Sequence, residues 1–394
     1  MRKKLLVLVA LLLMASMVFT ACGGGAGTTP EEPAAETPAA ETPAAETPAE
    51  ETPAETPADS GDKPYIAIIS KGFQHQFWQT VLKGSEDAAK ELNVDITFDG
   101  PPSESDIQVQ LDQLNAALGK NPDAVCLAAL DTESVTAQLL EAKEKGIPVI
   151  GFDSGVPNAP EGTIVSTAST DNEKGGAIAA EEIFKVESVK QAIENATPDN
   201  PVVLGVISQD ATSASVVGRT VGFLTKAKEL AEAIHPGGVA ITGHDKYNED
   251  AEGDMVVELH VQIPPTTNIQ DGQAAAQAML EKKNLVAVFM SNELAVGGVL
   301  AATSDGKDLD RENGKYKDLI AVGFDAGANQ KTAVRNRWFY GAITQDPYQI
   351  GYKAVELAVK AINGEEVPEI VDTGCQFYNA DNMDDPSIAQ LLYD

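Results

Sequence analysis

The chain is 394 residues long and carries 60 acidic against 28 basic residues, a formal charge of −32. A surplus of that size repels phosphate backbones and anionic lipid head groups, so it speaks against nucleic acid as a partner. Four histidines and three cysteines leave little material for a metal centre or a disulfide framework.

Arg2, Lys3 and Lys4 precede an apolar run over 5–19 and then "TACGGG", the charged, apolar, small-residue order of a secretory signal. The run is shorter than the ~20 apolar residues that span a bilayer, so residues 1–21 are expected to be a signal peptide outside the fold. Small residues around Cys22 place cleavage just before it, and "FTAC" resembles the lipobox at which bacterial lipoproteins are cut and acylated, with Phe19 where Leu or Val is usual. Cys22 is the expected lipidation site; the plainer alternative is an ordinary signal peptide with an incidental cysteine. Residues 22–62 continue in five-residue repeats, "ETPAAETPAAETPAEETPAETPAD", which cannot bury a core. Repelling glutamates and prolines that favour ~3.1 Å per residue make this a stiff, solvated tether of up to about 100 Å. A tether beside an acylation site predicts attachment to the extracytoplasmic face of the cell membrane.

Beyond Asp62 about 330 residues remain, more than one core usually fills, so two lobes are expected. In chain order "YIAIIS", "VDITF", "AVCLAA", "IPVIGF" and "GTIVSTA" read as strands. Helices start near Phe77, Ser105 and Ser134 and stop at "LGKNPD" and "EKGIP". This is the βαβ rhythm of a parallel sheet covered on both faces. Cys126 lies inside one apolar run as a small hydrophobe; whether it pairs with Cys375 is open. "VSTASTDNEKGGAIAAEEIF" is a strand end leading into a helix capped by Thr170 or Asp171, and a first crossing between lobes. Gly175 and Gly176 belong to neither GxGxxG nor GxxxxGK[ST], which favours close helix packing over a nucleotide loop. The rhythm restarts at "PVVLGVIS", runs through a helix over 217–234, and returns at "AVFMSN", "LIAVGFD" and "YGAITQ". The polar stretch 235–261 reads as an irregular surface excursion. The expected fold class is α/β, two doubly wound parallel-sheet lobes, 63–168 with 346–370 and 169–345 with 371–394.

Catalytic and metal motifs are missing from this frame. His75, His235, His244 and His260 form no HExxH and no i, i+4 pair. The acidic stretch 245–254 lacks the sixth-position glycine of an EF-hand, and "SASVVG" is not the GxSxG elbow of a hydrolase. An enzyme is the minority reading, and no metal or cofactor is expected.

What remains is a set of polar residues at the carboxyl ends of expected strands, where open α/β sheets bind ligands. Asp153 and Ser154 follow "IPVIGF", Asn292 and Glu293 follow "AVFMS", Asp325 follows "LIAVGF" and Gln345 ends "YGAITQ", with Arg219 nearby. The stretch "SKGFQHQFWQTVLKG" after the first strand adds Gln74, His75, Phe77 and Trp78. Taken singly, each Asp, Asn or Ser could be a helix cap, and one of the adjacent aromatics should face the core, since helix neighbours diverge by ~100°. Taken together they suit a sugar. Its apolar face stacks on Phe77 and Trp78; Asp153 and Asp325 accept from hydroxyls, Gln74, His75, Asn292 and Gln345 donate or accept, and Arg219 donates.

From Tyr65 onward the ordered segments "HQFWQTVLKGSEDAAKEL", "IPVIGFDSG", "STDNEKGG", "TSASVVGRTVGF", "AVFMSNELAVGG", "AVGFDAG" and "AITQDPYQIG" resemble the type I periplasmic binding proteins of sugar ABC transporters, in their ribose-binding-like branch. The resemblance implies a three-segment hinge near 168–171, 345–347 and 370–374, and a monosaccharide or polyol held between the lobes. It also implies delivery to an ABC permease by a monomeric, lipid-anchored receptor that breaks no bond and uses no cofactor. On the family's pattern His75, Phe77 and Trp78 match its first-strand amide and aromatics. Asp153, Asn292, Asp325 and Gln345 match its strand-end ligands. The chain departs from that pattern at Ser154, where ribose binders carry Arg, and at Val217, where their second-lobe Arg falls; Arg219 is the next arginine position. The loop before Gln74 is one residue longer. Losing two guanidiniums counts against ribose itself. A receptor for a signalling molecule, amino acid or nucleoside on the same fold is the alternative. Regulators of the lactose-repressor kind share the fold, but the expected signal peptide and the lack of a helix-turn-helix separate this chain from them.

Overall fold

A computed structural model describes residues 63–73 and 75–393; the expected signal peptide, the tether with Cys22, and Gln74 lie outside the described residues. Short runs rich in β-branched and small apolar residues, buried throughout in the central strands, build two sheets. The first half of the chain runs β1 (Tyr65–Ile69), α1 (Gln76–Leu92), β2 (Asp95–Asp99), α2 (Ile107–Gly119), β3 (Ala124–Leu127), α3 (Thr136–Glu144), β4 (Val149–Phe152) and β5 (Ser166–Ser169). Then come α4 (Asn172–Lys185), α5 (Glu187–Glu194), β6 (Val202–Ile207), α6 (Ala214–Glu232), β7 (Val239–Thr242), β8 (Val257–Gln262), α7 (Ile269–Leu280), β9 (Leu285–Met290) and α8 (Glu293–Ala302). The chain closes with β10 (Ile320–Phe324), α9 (Ala328–Arg335), β11 (Gly341–Gln345), α10 (Pro347–Ile362), β12 (Ile370–Asp372), β13 (Cys375–Tyr378) and α11 (Pro386–Ala389).

One sheet has the order β12-β5-β4-β3-β1-β2 and the other β13-β11-β10-β9-β6-β8-β7. All neighbours are parallel except β13, which runs antiparallel to β11. Parallel strands need crossover helices, and these cover both faces, which is why β3, β4 and β6 are buried at every residue. In each sheet the order reverses beside the first strand, at β1/β3 and at β6/β9, so the crevice that binds ligands in such sheets opens at their carboxyl ends.

Helix packing on the sheets is close. A Cβ on Gly176 of α4 would lie 2.1 Å from the Arg219 carbonyl oxygen of α6, and one on Gly222 would lie 2.0 Å from that of Glu173. The "GG" of α4 is a helix contact. The stretch 235–261 corrects the sequence expectation: it contains β7 and β8 rather than an irregular excursion. Val257, Leu259 and Val261 of β8 are buried while Glu258 and His260 alternate with them, and β8 inserts between β6 and β7. Three polar residues in a six-residue strand, Glu258, His260 and Gln262, and an intervening acidic turn hide that pattern from a composition-based reading. Cys126 and Cys375 are both free; Cys126 sits in β3 of one sheet and Cys375 in β13 of the other.

The chain passes between the two sheets after β5, after β11 and between β12 and β13. The Thr170 hydroxyl lies 3.0 Å from Gln345 Oε1 and 3.2 Å from the Gly374 carbonyl oxygen, touching all three passages. Asp171 caps α4 by accepting from the Lys174 amide at 3.0 Å. The Thr373 amide donates to the Ser169 carbonyl at 3.0 Å.

Candidate functional site

The carboxyl ends of both sheets face one narrow cavity. Lys71, Glu104 and Asp153 reach it from the first lobe, with His75, Phe77 and Trp78 at the start of α1; Val216, Arg219, Asn292, Glu293, Asp325 and Gln345 reach it from the second. The space left between them is about 20 Å³, enough for one water molecule. A wider hollow of about 370 Å³ opens beyond Asp153, walled by Gly155, Pro157, Pro160, Ser215 and Glu369. The narrow cavity, by contrast, gathers charged side chains from both lobes.

Two carboxylates are placed there by unusual backbone. Asp153 has φ 52° and Asp325 φ 80°, left-handed values that non-glycine residues avoid and that cluster at functional positions. Their amides still complete the sheet edge: Asp153 donates to the Ala168 carbonyl at 3.0 Å, and Asp325 donates to that of Ile343 at 2.7 Å. Neither side chain caps its following helix. Asn292 does both jobs, accepting from the Ala295 amide at 3.2 Å while its Nδ2 donates to Gln209 Oε1.

Charge is arranged in two linked groups. Lys71, 5 % exposed, stands 3.7 Å from Glu104 and 3.6 Å from Asp153, and donates across the lobe boundary to Ser215 Oγ at 3.2 Å. Burial lowers its pKa, yet the carboxylates of Glu104, Asp153 and Asp210 outweigh burial and hold it above the ordinary lysine value. Glu104 accepts from Trp78 Nε1 at 2.8 Å and from Gln209 Nε2 at 2.9 Å. Burial pushes Glu104 upward, but Lys71, His75 and those two hydrogen bonds bring it down to about 2. Asp153 is pushed up by burial, with Lys71 and Arg219 opposing. In the second group Asp325 accepts from Gln345 Nε2 at 2.6 Å and from the Glu293 amide at 3.1 Å, and lies 3.8 Å from Arg219. Arg219 stacks 3.8 Å over Phe324 and donates to Asn172 Oδ1 at 2.8 Å and to the Ser291 carbonyl at 3.0 Å.

Glu293 is the least compensated member. Its Oε2 is buried without a hydrogen-bond partner, and the basic side chain beside it is His75, whose Nδ1 lies 3.8 Å away. A side chain on Gly327 would collide with Glu293 Oε1, its Cβ falling 2.0 Å away, so glycine there makes the room. Burial raises the Glu293 carboxyl to about 7; His75 opposes, while Asp325 and Glu104 add to the rise. Below pH 4.5 the group is protonated folded and unfolded and costs nothing. Between 4.5 and about 7 only the unfolded chain ionises, so stability falls, and above 7 the full cost persists. Glu293→Gln is therefore expected to stabilise the fold at pH 8 by roughly 2 kcal/mol and to change little at pH 4. Urea titrations at both pH values check this; an equal gain at both would rule out the titration as its cause.

Of the residues expected from sequence, the structure gathers His75, Phe77, Trp78, Asp153, Arg219, Asn292, Asp325 and Gln345 around the cavity. Phe77 and Trp78 both pack in the buried core, meeting edge to face at 5.0 Å, and both also line the cavity. Ser154 is not in the wall: its Oγ accepts from the Ser215 amide at 3.4 Å, bridging the lobes. Lys71 and Glu104 were missed. Lys71 stands two residues after β1, a strand-end position that would have flagged it; Glu104 lies in the loop "PPSESD", where nothing local separates it from a solvated acid. Among the described residues no cluster of three or more His, Cys, Asp or Glu is set to hold a metal ion.

The family model described as "Periplasmic binding protein domain" matches residues 66–366, a span that runs through both sheets. The chain belongs to this family. Its members are binding proteins, and two curated relatives cover nearly the whole domain. The periplasmic binding protein described here is 23% identical over 322 residues to the D-allose-binding periplasmic protein of Escherichia coli, covering 80% of this chain and 90% of that one. It is 26% identical over 315 residues to the ribose import binding protein of the same organism, covering 79% and 88%. Among solved structures it resembles an ABC transporter, LacI family transcriptional regulator, from Brachyspira murdochii at 39% identity and a TM-score of 0.70, covering 85% of this chain and 100% of that one. A carbohydrate transporter solute-binding protein from Agrobacterium radiobacter, solved with D-arabinose, is 26% identical with a TM-score of 0.67, covering 84% and 100%.

Proposed function

We propose that this periplasmic binding protein is the solute receptor of a sugar ABC importer. It captures a monosaccharide or polyol between its lobes and presents it to the permease, as a monomer held at the extracytoplasmic membrane face through a lipidated Cys22. One observation carries the reading. Carboxylates and amides from both lobes, Asp153 from one and Asn292, Asp325 and Gln345 from the other, converge beside Phe77 and Trp78 in one desolvated space. A ring with an apolar face and a rim of hydroxyls answers both features. Relatives named above are described by ribose, allose or arabinose, and further solved relatives carry D-fucose or tagatopyranose.

A sugar ring displaces several times the volume of one water molecule, which is all the cavity has room for. Entry therefore needs the lobes to part, a hinge motion about the three passages tied by Thr170. A ligand touching both lobes binds the closed arrangement better and shifts the population toward it. The amino-acid alternative finds less support, because Arg219, which would take the ligand carboxylate, already donates to Asn172 and the Ser291 carbonyl. Calorimetry with a panel of pentoses, hexoses, polyols, amino acids and nucleosides is expected to give binding among the sugars or polyols, with a smaller radius of gyration by X-ray scattering in the bound sample. Binding of an amino acid or nucleoside, with every carbohydrate silent, would overturn the proposal.

A further inference from the structure

The cavity holds more negative charge than a neutral sugar needs. Four carboxylates line it, Glu104, Asp153, Glu293 and Asp325, against two permanent cations, Lys71 and Arg219. Arg219 is the neighbour of Asp325. Lys71 is divided between Glu104 and Asp153, and its hydrogen bond goes to Ser215. Glu104 is satisfied in addition by the Trp78 indole and the Gln209 amide. That leaves Asp153 and Glu293, on opposite lobes, each with one buried carboxylate oxygen that accepts no hydrogen bond. Asp153 is only 3 % exposed, and an unpartnered acceptor buried so deeply is costly unless something donates to it. The groups facing Glu293 are His75, Asp325 and Glu104, and the two carboxylates among them repel its charge. Hydroxyls would supply hydrogen bonds but no charge; an ammonium group supplies both.

Resting on the sugar-receptor reading above, we infer that the ligand is a hydroxylated molecule carrying an ammonium group, an amino sugar or amino polyol, with the cation seated between Asp153 and Glu293. The amine donates to the Asp153 and Glu293 oxygens that accept no hydrogen bond within the protein and adds a charge to the one Asp153 shares with Glu104 in Lys71, while its hydroxyls meet Asn292, Asp325 and Gln345. Because Glu293 is partly protonated near neutrality, seating a cation beside it drives off a proton.

Isothermal titration of the 63–394 lobes joined to their natural tether, at pH 7, with D-glucosamine, D-galactosamine and D-mannosamine beside the parent hexoses and the N-acetyl derivatives, tests this. At least one amine is expected to bind tenfold or more tightly than its parent and its N-acetyl form. Its binding heat should vary with buffer ionisation enthalpy as a proton is released. Glu293→Gln should cut the ratio of amine to parent affinity at least fivefold; Asp153→Asn gives the same reading if the first variant does not fold. A parent hexose that binds as tightly as its amine, or a ratio untouched by both variants, overturns the amine assignment and leaves sugar capture standing. Silence of amines and parent sugars alike overturns both.

Discussion

Lys71→Met is expected to lower stability by about 3–5 kcal/mol, because it removes the one ion-pair partner shared by the carboxylates of Glu104 and Asp153. Glu104 and Asp153 lie 3.7 and 3.6 Å from the ammonium, and all three side chains are buried. Methionine keeps the length and fills the space, so the loss reports charge rather than a cavity. Denaturant unfolding at pH 7 measures it. The deficit should shrink as pH falls toward 4, since Asp153, already pushed up by burial, takes up a proton more readily once Lys71 is gone. Adding Asp153→Asn to the methionine variant should recover part of the loss. A deficit under ~1 kcal/mol, typical of exposed pairs, would mean the ammonium is not what offsets these acids.

Asp325→Ala is expected to weaken ligand binding by at least ~2 kcal/mol, about thirtyfold. Its two oxygens hold the Gln345 amide and the Glu293 backbone amide, with Arg219 3.8 Å away. The substitution therefore removes one acceptor for the ligand and releases two neighbouring groups that also face the cavity. Asp325→Asn keeps the shape and one of the two acceptor oxygens and should lose less, which separates lost hydrogen bonding from lost shape. The readout is affinity for whichever carbohydrate the panel identifies, alongside a thermal melt. Affinity equal to wild type in the alanine variant would remove Asp325 from the site.

Much of this architecture is legible before folding, because its signals are local. Buried parallel strands read as unbroken apolar runs, such as "AVCL" and "VVLGVI", and the polar residue that ends each run marks the rim without any knowledge of the partner strand. Asp153, Asn292, Asp325 and Gln345 are found that way. Phe77 and Trp78 are found because a strand-to-helix turn presents two aromatics where caps are usual. Three features are not local. β8 carries Glu258 and His260 between its buried valines and leucine, a half-polar strand that becomes recognisable only when β6 and β7 flank it. Ser154 stands at a strand end like Asp153 beside it, yet its hydroxyl is taken by the Ser215 amide of the other lobe. Glu104 looks like any acid in a polar loop until Trp78 and Gln209 close on it.

The amino-acid order by itself determined the alternation of strands and helices, the two sheets and most of the rim chemistry, since each depends on residues a few positions apart. Only the tertiary structure decided how charge is shared: that Lys71 serves two acids, that Arg219 is engaged from several sides, and that Asp153 and Glu293 each keep a buried oxygen that accepts no hydrogen bond. Burial and Coulomb interaction act through space between lobes, and groups such as Lys71 and Ser215, 144 positions apart in the chain, meet only once both sheets have formed.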